Sequence, residues 1–193
     1  MNAITQMITQ QLGGGASRMI AQRFGISETT ANAAVQIGVP LILTALARNA
    51  SQPQGAESLH QAINKDHDGS ILDNLTGYLG NPQSANGAGI LGHIFGNQRP
   101  AIESNLAQAT GMDQNSAGGL LETLAPMVMG SLGKAQQQNE LGPSGLSNLL
   151  NREQQEAQAN APDVMSMLGS MLDQNKDGSS IDDIQRMAAK FFK

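Results

Sequence analysis

No run of apolar residues alternates with period two, so the pattern of apolar and polar positions predicts no strand; the chain reads as helices punctuated by glycine and proline. The longest apolar stretch, residues 31–47, is interrupted by Asn32, Gln36, Pro40 and Thr44. That is too short and too polar for a membrane span, which needs about 18 or more apolar residues. It reads instead as two packed helices meeting near Pro40.

An internal repeat organises the pattern. Residues 20–48 align without a gap on residues 106–134 at a constant offset of 86. Ala21, Gln22, Gly25, Ala31, Pro40 and Leu46 recur as Ala107, Gln108, Gly111, Ala117, Pro126 and Leu132. A second match pairs INKDHDGSILDNL, residues 63–75, with LDQNKDGSSIDDI, residues 172–184, at an offset of 109. The change of offset places 23 extra residues in the second copy, within the Gln-rich, Pro-interrupted stretch 135–162, which reads as a loop or partly helical insertion.

Each unit reads as all-helical. Gly25 or Gly111 ends a first helix, and Ser27 or Asp113 caps the next. Pro40 and Pro126 each start a further helix, since proline suits a first turn and breaks an interior. A helix carrying Leu59 and Ile63 (Leu168 and Leu172 in the second copy), an Asp/Gly loop and a closing helix complete the unit. The expected fold class is therefore all-α, two tandem helical repeats without a sheet. Residues 1–80 form the first repeat with its Asp/Gly loop, 81–100 a glycine-rich connector, and 101–193 the second repeat with the insertion and second loop.

Composition narrows the chemistry. With no cysteine there is no disulfide framework, thiolate metal site or Cys nucleophile. The start MNAITQMITQQLGGG lacks the basic opening of a secretory signal, so the expected location is cytoplasmic. A formal net charge of −5, with 11 Lys and Arg scattered rather than clustered, makes nucleic acid an unfavourable partner. The 20 Gln and 15 Asn leave a polar surface with little charge repulsion, which favours self-association.

Three segments, GILGHIFG (89–96), LAQATGMDQNSAGGLLETLAPMVMGSLGK (106–134) and HQAINKDHDGSILDNLTGYL (60–79), together resemble the bacterial domain-of-unknown-function family 937 (DUF937), akin to YidB-like proteins. The resemblance covers most of the chain. It implies a small helical bundle with a helix-turn-helix-like element in a non-enzymatic bacterial protein, and it supplies no catalytic residue.

The most specific chemistry sits in the two Asp/Gly loops. Counting Asn64 as position 1 puts Asp66, Asp68, Gly69, Ser70 and Asp73 at 3, 5, 6, 7 and 10. Counting Asp173 as 1 gives Asn175, Asp177, Gly178, Ser179 and Asp182 at the same places. Oxygens at 1, 3 and 5, a turn glycine at 6 and a carbonyl from 7 are how an EF-hand-type loop wraps calcium. The usual Glu at 12 is absent, since Leu75 and Ile184 stand there, and Asp73 and Asp182 are the replacements. Calcium is thus one reading of both loops. The other is helix capping, with Ser70 and Asp73, and Ser179 and Asp182, as capping boxes. Met165, Met167 and Met171, on the helix entering the second loop, offer either a target surface or core packing.

Other signals are weaker. Residues 18–37 have the spacing of a helix-turn-helix, but the recognition helix would carry Glu28 and no Lys or Arg, whereas phosphate contacts supply most non-specific affinity. Gly13–Gly15 and the glycines at 87–96 lack the strand and lysine of a phosphate loop. His60, His67 and His93 stand at no metal-ligand spacing, and no nucleophile elbow or paired-carboxylate setting marks an enzyme. The expectation is a non-enzymatic helical protein that binds proteins, its own copies included, with the loops as candidate calcium sites. The alternative is a DNA-associated regulator using residues 18–37.

Overall fold

The computed structural model describes residues 3–12, 15–160 and the isolated positions 162, 165, 166, 169 and 172. The described elements are α1 (Ala3–Leu12), α2 (Ala16–Phe24), α3 (Glu28–Ala50), α4 (Pro53–Asp66), α5 (Leu75–Gly80), α6 (Gly87–Phe95), α7 (Arg99–Thr110), α8 (Gln114–Asn139) and α9 (Pro143–Asn160), with three short 3-10 turns. The fold is all-helical, and no strand occurs among the described residues.

Local capping sets the entry to both long helices. Gly25 (φ 64) and Gly111 (φ 72) take the left-handed conformation that closes α2 and α7. Two residues later the Ser27 side chain accepts from the Thr30 N–H, and the Asp113 side chain accepts from the Ser116 N–H, each at 3.0 Å. The hydrogen bond from Ser116 holds the Asp113 carboxyl below the usual carboxylate range.

The prolines do not behave as expected. Pro40 lies inside the 23-residue α3 and Pro126 inside the 26-residue α8, so neither starts a helix, and 31–47 is part of one helix rather than two. A proline inside a helix removes one backbone hydrogen bond and crowds the carbonyl four residues back. Burial outweighs that cost: residues 41–47 of α3 and 123–133 of α8 are buried on every side. Helices apolar all round belong at the centre of a core. By length and composition α3 could cross a membrane, with a mean hydropathy of 1.5, and 67% of its most apolar stretch is covered by the rest of the protein.

α3 and α8 cross where Gly38 meets Leu121 and Leu124. Around α8 pack α1, α4, α6, α7 and the turn Ser70–Leu72; around α3 pack α2, α4, α7 and α9. One core cluster therefore joins residues from both halves of the chain, from Ile4 to Leu150 and on to Leu172. The Glu153 carboxylate, buried in α9, accepts the N–H of Ile4 at the start of α1, where a helix favours negative charge.

Two stretches read as connector or insertion are built into this core. Within 81–100, α6 carries buried Ile90, Leu91 and Phe95 against α8. Within 135–162, α8 runs on to Asn139 and α9 buries Leu146 and Leu150 against α3 and α4. Glycine and glutamine counts suggest loops, yet a few well-spaced aliphatics suffice to dock a short helix.

Candidate functional site

The first Asp/Gly loop is docked onto α8. After α4 the chain turns at Gly69, whose φ of 96 lies in the left-handed region, and forms a 3-10 turn over Ser70–Leu72. The approach is close on both sides. A β-carbon at Gly133 of α8 would lie 1.9 Å from the His67 carbonyl oxygen, and one at Gly69 3.0 Å from the Gly130 carbonyl oxygen. Only glycine at 133 lets the loop backbone settle onto the helix.

Side chains of α8 then take up the loop's oxygens. The Gln136 Nε2 donates to Asn64 Oδ1 at 2.6 Å, the Gln137 Nε2 to the Asp68 carbonyl at 3.0 Å, and the Lys134 Nζ to Asp73 Oδ1 at 3.0 Å. Within the loop, Asp68 Oδ1 accepts the Ser70 N–H at 2.9 Å, and the Ser70 carbonyl accepts the Asp73 N–H at 3.0 Å. Hydrogen bonds from Ser70 hold the Asp68 carboxyl below its ordinary range. Burial lowers the His67 imidazole, against the opposing pull of Asp66 and Asp68.

Of the candidate ligands Asn64, Asp66, Asp68, Ser70 and Asp73, all but Asp66 thus have an oxygen that accepts a protein hydrogen bond. Among the described residues no group of three His, Cys, Asp or Glu side chains could hold a metal ion. Nor do Ser70 and Asp73 form the expected capping box: Ser70 opens the 3-10 turn and Asp73 ends it, and Asn74 caps α5 by accepting the Gly77 N–H at 3.1 Å. The second set, Asp173, Asn175, Asp177, Ser179 and Asp182, lies outside the described residues, as do Met167 and Met171; Met165 is buried in the core.

Sequence spacing missed what faces the loop. The turn Pro82–Ala85 and the first turns of α6 form the opposite wall of a cleft of about 370 Å³. Exposed Asp66, Asp68 and Ser70 line one side, while Ile71, Ala85 and Ile90 supply apolar surface. Among the described residues neither Asp66 nor Asp68 forms an ion pair. Exposed carboxylates beside apolar side chains in one cleft suit a ligand that brings positive charge and an apolar body together.

A second cleft, of about 440 Å³, lies beyond Asn86, between Arg23 and Phe24 of α2 and Glu122 of α8. Its far wall is fixed by Arg99, which sequence reading also passed over, although its spacing of four from Glu103 was legible. The Arg99 guanidinium donates to Glu103 Oε1 at 2.6 Å, to Glu122 Oε1, and to the Ala88 carbonyl at 3.2 Å, tying α6, α7 and α8 together. Desolvation would lower its pKa, but the bonds to the two glutamates prevail and raise it. Beside it the buried Tyr78 hydroxyl donates to the Thr123 carbonyl at 2.7 Å.

The helix-turn-helix-like segment 18–37 forms α2 and the start of α3. Ala31, Ala34 and Val35 face the core, and Arg18 Nε donates to Glu28 Oε1 at 3.0 Å, so a basic side chain there is already spent on an acid.

A family model described as a bacterial protein of unknown function (DUF937) matches residues 6–135. No curated protein and no solved structure matches the chain.

Proposed function

The chain belongs to the DUF937 family of bacterial proteins, and from that premise we propose that it is a non-catalytic helical binding module, which captures a basic, apolar segment of a protein in the cleft between residues 66–71 and 84–90. The observation that carries this reading is that Asp66 and Asp68, without ion-pair partners among the described residues, line one cleft with the apolar side chains of Ile71, Ala85 and Ile90. Lysine or arginine would meet the two carboxylates, and an aliphatic or aromatic side chain the apolar ones.

The proposal includes duplication of one helical unit. Support comes from the alignment at offset 86 together with the matching caps, Gly25 and Ser27 against Gly111 and Asp113. It gives the first loop the role of a clip that holds the cleft open on α8, with Lys134 and Gln136 as its counterparts. Calcium is proposed for both loops, with the lower affinity in the first, where one oxygen each of Asn64, Asp68, Ser70 and Asp73 already accepts a protein hydrogen bond.

Isothermal titration of a ten-residue peptide of alternating lysine and phenylalanine, against a glutamate–phenylalanine control, tests the reading. The basic peptide is expected to bind and the acidic one not to, with Asp66→Asn plus Asp68→Asn weakening binding roughly five- to tenfold at low salt. Equal binding of both peptides, or no effect of the double substitution, would sink it.

A further inference from the structure

We propose that the second cleft, between the end of α2, the start of α6 and α8, is a site for a small aromatic monocarboxylate, whose anion pairs with Arg23 and whose ring lies against Phe24. It shares only Asn86 with the cleft lined by Asp66 and Asp68, and its charge has the opposite sign at the exposed end.

Arg23 and Glu122 are the charged residues that line it, and only one of them is uncommitted. Glu122 accepts from Arg99, which also bonds Glu103. Arg23 is exposed and forms no ion pair among the described residues, whereas Arg18, Arg99 and Lys134 each do. The Arg23 charge is felt at buried Tyr78, whose hydroxyl bonds the Thr123 carbonyl of the same cleft. A guanidinium offers parallel N–H donors that match the two oxygens of a carboxylate.

An apolar seat lies beside that donor. Phe24 is half-buried, and its ring rests on α8 so closely that a β-carbon at Gly119 would lie 2.8 Å from Phe24 Cε1. The ring is thereby held in place, and a flat aromatic ligand can stack on it or meet its edge. The exposed amides of Gln83 and Asn86 add polar groups around this apolar surface. A volume of about 440 Å³ falls within the range of small-molecule sites, which join apolar walls to a few polar groups.

The charge balance selects a single negative charge on the ligand. Arg99 is shared by the two carboxylates of Glu103 and Glu122, so the wall at Glu122 carries a net negative charge. A second anionic charge on the ligand would meet that surplus, and like charges disfavour the complex.

The test titrates the full chain with 2-naphthoate, the neutral isostere 2-naphthamide and the dianion 2-naphthyl phosphate, read by amide chemical shifts. Saturable shifts at Arg23, Phe24, Asn86, Gly119 and Thr123 are expected, with naphthoate bound about three- to fivefold tighter than the amide. Arg23→Gln, shown by far-UV circular dichroism to fold, is expected to remove that preference while leaving amide binding in place. Equal affinity for naphthoate and naphthamide in the parent, a preference that survives Arg23→Gln, shifts elsewhere or no shifts would overturn the site. Tighter binding of the phosphate than of naphthoate would overturn the monocarboxylate assignment.

Discussion

The α-carbon of Gly87, at the start of α6, rests on the main-chain oxygen of Glu122 in α8, so closely that a β-carbon at 87 would lie 1.9 Å from that oxygen. Glu122 is four residues before Pro126, whose missing N–H leaves this carbonyl without its usual helical donor. The proline frees the carbonyl, and the glycine lets a second helix close over it.

Gly87→Ala is therefore expected to destabilise the protein by about 2 kcal/mol, the scale of overpacking a close contact. Gly92→Ala, on the same helix with nothing within 4 Å of the new methyl, is expected to be neutral or slightly stabilising. Urea melts of both check this, and equal effects would contradict the contact.

Tyr78 is the chain's one tyrosine and there is no tryptophan, so absorbance near 295 nm reports on this residue alone. Burial pushes its phenol well above the ordinary value, with a weaker opposing pull from Arg23. Unfolding restores a pKa near 10, so the unfolded chain loses the proton first and stability falls as pH rises above about 10. Phenolate absorbance is expected to appear together with loss of helical circular dichroism. Tyr78→Phe removes the bond to Thr123 and is expected to cost about 1 kcal/mol while abolishing the absorbance signal.

Arg99→Lys keeps the charge but loses the fork that reaches Glu103, Glu122 and the Ala88 carbonyl at once. A loss of about 1 kcal/mol is expected, with non-additivity against Glu122→Gln in a double-mutant cycle. Strict additivity would mean the two groups do not interact.

The tighter phase of calcium heat, where a titration of chelator-treated protein shows it, is expected to survive Asp68→Ala and to vanish in Asp177→Ala. The first loop's oxygens are engaged by Lys134, Gln136 and its own backbone. Loss of the tighter phase in Asp68→Ala alone would reverse the order of affinity.

The parts of this fold legible in sequence are those decided locally. Gly25 and Ser27, and Gly111 and Asp113, cap the helices as their residue types require, because a cap involves only three or four neighbours. Pro40 and Pro126 mislead because local propensity says a helix ends there, whereas burial on all sides of α3 and α8 outweighs one lost hydrogen bond. The Asp/Gly spacing locates the loop but not its partners. Lys134 lies 61 residues from Asp73, and the wall around Ala85 and Ile90 reaches the loop only through the packing of α6 on α8. Gly133 carries no pattern at all, since its role is the absence of a side chain against the His67 carbonyl.

The binding-module account is tested most directly by amide chemical-shift mapping of the full chain titrated with the alternating lysine–phenylalanine peptide. Saturable shifts confined to residues 66–71 and 84–90 are predicted. Shifts centred on the cleft around Arg23 and Phe24, or no shifts at all, would contradict it.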